Sequence, residues 1–176
     1  MYKGIYHNNF FFMQIRKASQ QDFEAIYHIA VITWNATYSN ILSPEQMQYM
    51  IDLMYSAGAI NDQIAIKGHH FIIAEDDEGK AVAFASYELN HLSETTKVHK
   101  LYVLPDTHGR GVGRALIAVI ENAARHNVND KLLLNVNRYN PAVNFYLKTG
   151  FINLGVEDVD IGAGYLMEDY KMLKHI

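Results

Sequence analysis

The stretch that most restricts the fold is PDTHGRGVGRAL, residues 105–116, with three glycines and two arginines in a dozen positions. It lies between TKVHKLYVL (96–104), which reads as a strand, and a helical pattern. That helix carries Val112, Ala115, Leu116, Val119, Ile120 and Ala123 on one face. A glycine-rich turn that opens a helix exposes backbone N–H groups at the positive end of the helix dipole, an arrangement suited to a phosphate. A short apolar strand, KLLLNV (131–136), comes next. Residues 98–136 therefore read as a strand–helix–strand crossover with an anion-binding turn at its first bend.

The remaining elements fit around that unit. MQIRKA (13–18) alternates as a strand does, and Ser19 with Asp22 has the spacing of a helix-start capping box. The next helix carries Phe23, Ile26, Tyr27, Ala30 and Trp34 at 3–4 spacing, and WNATYSNIL (34–42) reads as an aromatic-rich connection. Ser43-Pro44-Glu45 starts a second helix, and a short one is expected within 58–67. HFIIAE (70–75) and KAVAFASYEL (80–89) are strands; Asn140-Pro141 opens a helix that ends at Gly150, and strands near 151–158 and 164–173 finish the chain. The pattern predicts one α+β domain, a mostly antiparallel mixed sheet of roughly six to seven strands flanked by about four helices. Residues 1–12 do not resemble the rest of the chain. They read as an upstream extension before a natural start at Met13, with 13–176 as the domain; the alternative is a genuine N-terminal strand or arm.

A chain of 176 residues is one domain's worth of core. Its net charge of −4 and pI near 6.1 supply no basic field, so neither nucleic acid nor an anionic membrane is an expected partner. The absence of cysteine excludes disulfides, a thiol nucleophile and thiolate metal sites, and fits a reducing compartment. No run approaches the ~20 apolar residues of a membrane span, and the start lacks the long apolar stretch of a secretory signal, so the expected location is cytoplasmic. The nine histidines show no metal-ligating spacing, and adjacent His69 and His70 would face opposite sides of a strand; no metal is expected.

Spacing discriminates among phosphate loops. A P-loop needs Gly-Lys-Ser/Thr, and here Gly113 is followed by Arg114-Ala115. A dinucleotide fingerprint begun at Gly109 meets Arg114 where its third glycine belongs, and begun at Gly111 it meets Leu116. What remains, His108-Gly109-Arg110-Gly111-Val112-Gly113 after a strand ending LYVLP, resembles the acetyl-CoA-binding motif Gln/Arg-x-x-Gly-x-Gly/Ala of the GNAT superfamily of N-acetyltransferases, with His108 departing from its first position. NPAVNFYLKTGF (140–151) is similar to the family's later motif, and the interval holds one helix and one strand, as the family's does.

The resemblance implies acetyl-CoA as cosubstrate. Main-chain N–H groups of Gly109 to Gly113, through Gly109, Arg110, Gly111, Val112 and Gly113 after His108 at the head of the motif, would bind its pyrophosphate, with the glycines giving close approach and Arg110 and Arg114 adding charge. Main-chain groups of the Leu101-Tyr102-Val103 segment would bond the pantetheine arm, and the Val103 N–H would polarise the thioester carbonyl. Asn140 would cap its helix, reach the pantetheine, or both. Tyr146 matches the tyrosine that protonates the departing thiolate. His99 stands where many members place a glutamate base, and Glu88 on the preceding strand is the competing candidate, acting through water. No covalent acyl-enzyme is expected.

TWNATY and GAGYLMEDYKML look similar to the PaiA-type spermidine/spermine acetyltransferases. Trp34 and Tyr38, with Glu157, Asp158, Asp160, Glu168 and Asp169, would then face a small polyamine through cation–π contact and ion pairing. Two alternatives stay open: acetylation of a protein N-terminus or lysine, and a non-catalytic acyl-CoA-binding module. Homodimers are common in the family.

Overall fold

A computed structural model of the protein describes residues 4–8 and 11–176. Eight strands form one sheet: β1 (Gly4–Asn8), β2 (Phe11–Lys17), β3 (His70–Glu75), β4 (Ala81–Leu92), β5 (Thr95–Val103), β6 (Lys131–Asn137), β7 (Ile152–Asp160) and β8 (Leu166–His175). Their spatial order is β1-β2-β3-β4-β5-β6-β8-β7. All neighbours run antiparallel except β5 and β6, which are parallel. Five helices complete the described residues: α1 (Phe23–Tyr38), α2 (Pro44–Tyr55), α3 (Ala57–Ala65), α4 (Val112–His126) and α5 (Ala142–Lys148). This is the α+β architecture the pattern predicts, with β2–β8 as its sheet. The eighth strand, β1, falls in the stretch read as an extension, and it pairs with β2, which begins at Phe11 rather than Met13. Residues 1–3 and 9–10 of that stretch lie outside the described residues.

α1 is longer than its pattern suggested. Trp34 to Tyr38, read as connection, continues the helix, because Ile26, Ile29, Ala30, Thr33, Trp34 and Tyr38 make one buried stripe. No proline or glycine interrupts that stripe before Pro44. The start is built as expected: the Ser19 N–H donates to Asp22 Oδ2 at 2.7 Å, and one turn of 3-10 helix leads into α1.

The sheet is covered on both faces. α4 and α5 pack on one through Val112, Leu116, Ile120 and Tyr146 against Val82, Ala85, Leu132 and Met172. α1, α2 and α3 pack on the other through Ile26, Ile29, Trp34, Tyr55 and Ile60 against Phe71, Ile73 and Phe84. Leu116 and Ile120 are fully buried, and each contributes about 2 kcal/mol through removal of apolar surface from water.

The parallel pair is incomplete. β5 and β6 are in register from Thr95↔Lys131 to Val98↔Leu134 and then part, although β5 continues to Val103 and β6 to Asn137. α4 connects them, and its N-terminus lies at the open end of this gap. Among the described residues, no helix is long and apolar enough to cross a membrane.

Candidate active site

The parting of β5 and β6 coincides with a bulge. In the β4–β5 ladder Ser86 faces Lys100 and Tyr87 faces Val98, so His99 is the extra residue. The side-chain alternation is reset there. Val98 belongs to the α4 side, whereas His99 and Lys100 both lie on the α1–α3 side. Beyond the bulge the Leu104 N–H donates to the Val82 carbonyl at 2.9 Å. Alternation along an extended strand then turns the N–H groups of Lys100 and Tyr102 toward β4, and those of Leu101 and Val103 toward the gap.

A cavity of about 1790 Å³ runs along the gap from the glycine turn to the α1–α2 side of the sheet. At the glycine end, Gly109 and Gly111 have φ of +79° and +82°, the left-handed region that side chains with a Cβ avoid. Gly111 is the N-cap of α4, and no side chain caps the helix there. Its first N–H groups therefore open onto the cavity, which Gly109 to Ala115 line. Gly113 serves packing: a Cβ there would stand 3.1 Å from the Phe145 ring. His108 turns its ring back on the strand, where Nε2 donates to the Val103 carbonyl at 2.9 Å. Arg110 and Arg114 are exposed on the rim. An uncapped helix end, open space beside two glycines and strand N–H groups facing a gap together fit a ligand with a pyrophosphate and an amide-bearing arm.

Tyr146 lies midway along the cavity, edge-on to Phe145 (5.2 Å) and Phe151 (5.5 Å). Burial holds its hydroxyl above the ordinary tyrosine range, so it carries its proton; no group among the described residues bonds it. In the turn that opens α5, Asn140 Oδ1 accepts from the Ala142 N–H (2.8 Å), and Nδ2 donates to the Tyr38 hydroxyl (2.9 Å). Tyr38 packs on Trp34 at 4.8 Å, and both rings are largely buried while lining the cavity. Tyr102 turns to the α1–α2 side and shares a 2.8 Å hydrogen bond with Tyr55.

The two candidate bases form one unit. His99 Nε2 lies 2.9 Å from Glu88 Oε2, and His91 Nδ1 lies 2.8 Å from the same oxygen. Burial raises the Glu88 carboxyl, but hydrogen bonds from His99 and His91 outweigh it and hold the group below the usual carboxylate range. Burial, then the neighbouring His69, push His99 well below the usual imidazole range. An ionised Glu88 can only accept, so neutral His99 carries its hydrogen on Nε2 and keeps a lone pair on Nδ1. His99 lines the cavity and Glu88 stands behind it.

His69 stacks on His99 at 3.9 Å and 15°, and its Nδ1 is buried without a partner. One atom each from His69, Glu88 and His99 lie within 4.8 Å of one another. Sequence spacing did not expose this cluster, because its members sit on three neighbouring chain segments joined only by register. The same holds for Lys100, buried beside Tyr55 and Phe71 and hydrogen-bonded to Gln63. Burial, then Lys67, lower its ammonium to a pKa of about 8.

The carboxylates of the last strands separate in the structure. Asp158 and Asp160 are exposed, and Glu157 and Glu168 half-buried, whereas Asp169 is 1% exposed, lines the cavity and has a buried Oδ1 without a partner. Burial, then Glu157 and Asp158, raise its pKa to about 6.

Residues 67–153, spanning the bulged strand, the glycine turn and Tyr146, match the family model of the acetyltransferase (GNAT) domain. The chain belongs to the GNAT acetyltransferases. It is 27% identical over 158 residues to a spermidine N(1)-acetyltransferase of Thermoplasma acidophilum, covering 89% of this chain and 96% of that protein. The crystal structure of PaiA N-acetyltransferase from Thermoplasma acidophilum in complex with coenzyme A superposes with a TM-score of 0.78 at 25% identity, covering 93% and 99% of the two chains. A GCN5-related N-acetyltransferase from Rhodopseudomonas palustris shares the fold, with a TM-score of 0.77 at 22% identity over 100% and 99%. This GNAT protein is therefore an acetyl-CoA-dependent N-acetyltransferase.

Proposed function

We propose that this GNAT enzyme acetylates a primary amine of a small polyamine such as spermidine by direct attack on acetyl-CoA. The observation that carries the proposal is the continuity of one cavity, from the uncapped α4 turn, along the β5–β6 gap and past Tyr146, to the aromatic and acidic α1–β8 side. The pyrophosphate lies on Gly109 to Gly113, and the pantetheine bonds the outward main-chain groups of Leu101 and Val103. The acceptor enters between Trp34, Tyr38 and the closing strands. An alkylamine with a pKa near 10.4 is neutral in roughly one part in a thousand at pH 7.4, so freeing its lone pair costs about 4 kcal/mol. His99 Nδ1 takes that proton, ionised Glu88 stabilises the resulting imidazolium, and the freed lone pair of the nitrogen attacks the carbonyl. The Val103 N–H supports the oxyanion; as it collapses the carbon–sulfur bond breaks and the thiolate takes the Tyr146 proton, the surplus proton on the nitrogen restores the Tyr146 hydroxyl, and His99 releases its own proton to solvent. The acid-rich closing strands and the relationship to a spermidine N(1)-acetyltransferase support the polyamine assignment.

The test is free-thiol release from acetyl-CoA with spermidine, spermine, diamines and a peptide panel, using wild type and Tyr146→Phe. Turnover with polyamines, reduced about tenfold by Tyr146→Phe, is the expected result, since a thiol of pKa about 8.5 leaves with modest help. Turnover with peptides alone would move the acceptor to proteins. Coenzyme A binding without turnover would leave a binding module.

A further inference from the structure

Asp169 on β8 and Asn135 on β6 lie on the same face of the sheet, the one that α1 and α2 cover. Asp169 is the direct cross-strand partner of Asn137, so Asn135 stands two residues away along β6 on the same side. Both line the cavity, and each has an Oδ1 that is buried and receives no hydrogen bond. The Asn135 amide is fixed in orientation: Nδ2 donates to Glu157 Oε2 at 2.6 Å, which leaves Oδ1 as the free end. Two buried acceptors without a donor are costly unless something supplies N–H or O–H groups.

The neighbouring cations do not supply them. Arg138 donates to Asp158 (2.9 Å) and Glu168 (2.7 Å) but not to Asp169. Lys171 pairs with Glu157 at 3.3 Å. Lys97, on β5, makes no bond to Asp169 among the described residues. The other groups that bear on Asp169 are the Tyr38 and Tyr102 hydroxyls from α1 and β5, and the carboxylates of Glu157 and Asp158 on β7. The buried cation that lines the cavity, Lys100, is on β5 and bound to Gln63. The buried ammonium thus stands at the β5 wall, and the Asp169 carboxylate at the β8 wall is hydrogen-bonded by no cation among the described residues.

We propose that Asp169 and Asn135 form a subsite for a second ammonium group of the acceptor, so that the enzyme reads diamines and polyamines rather than monoamines. A primary ammonium has three donors and no acceptor, the complement of this pair of oxygens. The subsite serves a nitrogen other than the reacting one, because a carboxylate paired with an ammonium holds the proton that acyl transfer must remove. The strand order agrees: the His99–Glu88 pair is on β5 and β4, and Asp169 is on β8 with β6 between, so the β5 and β8 backbones are about 10 Å apart or more. A four-carbon diamine extends from the mouth of the gap toward β8. The subsite rests on the acetyl-transfer reading for its role, though not for its ability to bind.

The experiment compares kcat/KM for 1,4-diaminobutane and n-butylamine in wild type, Asp169→Asn and Asn135→Leu, with coenzyme A binding as the check on folding. Wild type should prefer the diamine by about 30-fold, the worth of one charge-assisted hydrogen-bonded contact, and both variants should bring the ratio to within about threefold. A wild-type ratio near one, or a ratio unchanged in both variants, overturns the subsite. If no amine is turned over, calorimetric titration of 1,4-diaminobutane into the coenzyme A complex decides the matter. Binding by wild type that Asp169→Asn abolishes upholds the subsite while the acetyl-transfer reading falls. No binding by wild type overturns the subsite itself.

Discussion

Asp169 is buried and His99 partly buried, and burial drives their protons in opposite directions. Asp169 titrates near pH 6 in the folded chain against 3.8 when unperturbed. The folded state therefore binds more protons than the unfolded state between those values, and stability falls as pH rises through that window. Asp169→Asn should be more stable than wild type by up to about 3 kcal/mol at pH 7.5 and nearly equal to it below pH 4, measured by urea unfolding at both. His99 should behave as a base oriented by a carboxylate. His99→Ala is expected to lower kcat/KM by about 10²–10³. Glu88→Gln should lower it less and move the acid limb of the pH profile to lower pH, because the charge favouring imidazolium is gone. An unmoved limb would separate the two residues. At this scale Tyr146, the glycines and Asn140 were legible from the chain, since each sits in a short contiguous motif. Asp169 was legible only as one of several closing carboxylates, because burial and an unpartnered oxygen depend on which strand lies beside it.

Among the elements, α4 links core and turn. Its apolar stripe was plain in the sequence, and Leu116→Ala should cost about 3 kcal/mol in chemical unfolding with coenzyme A affinity little changed, because Leu116 lies in the core rather than on the cavity. Gly111→Ala should do the reverse. A Cβ at φ +82° costs about 1–2 kcal/mol and distorts the N-cap, so acetyl-CoA KM should rise several-fold while Tm falls modestly. The alternating strands were equally readable, but the bulge was not. TKVHKLYVL has no glycine or proline to mark it, and only the pairing of Ser86 with Lys100 and Tyr87 with Val98 reveals that His99 is extra. The extension of α1 through Tyr38 was likewise hidden, because its aromatic residues read as connection until Tyr55 and Asn140 are seen to pack on or bond to them.

For the whole molecule, the layered α+β arrangement followed from patterns local to each element, whereas the His69–His99–Glu88–His91 cluster required the complete strand order. The same strand order determines how the enzyme should assemble with its cosubstrate. Among the described residues β5 and β6 are the only parallel neighbours in the sheet, and they hold together over Thr95 to Val98 alone. The outward amides of Leu101 and Val103 are hydrogen-bonding groups with no partner strand. Hydrogen–deuterium exchange at these two amides should slow at least tenfold on adding coenzyme A, while the amides of Lys100 and Tyr102, turned toward β4, stay as they were. A cosubstrate that enters there joins the protein as a length of missing sheet. In the proposed reaction it also walls the acceptor's chamber, so the expected order of encounter is acetyl-CoA first, amine second, and the thiol the last to leave.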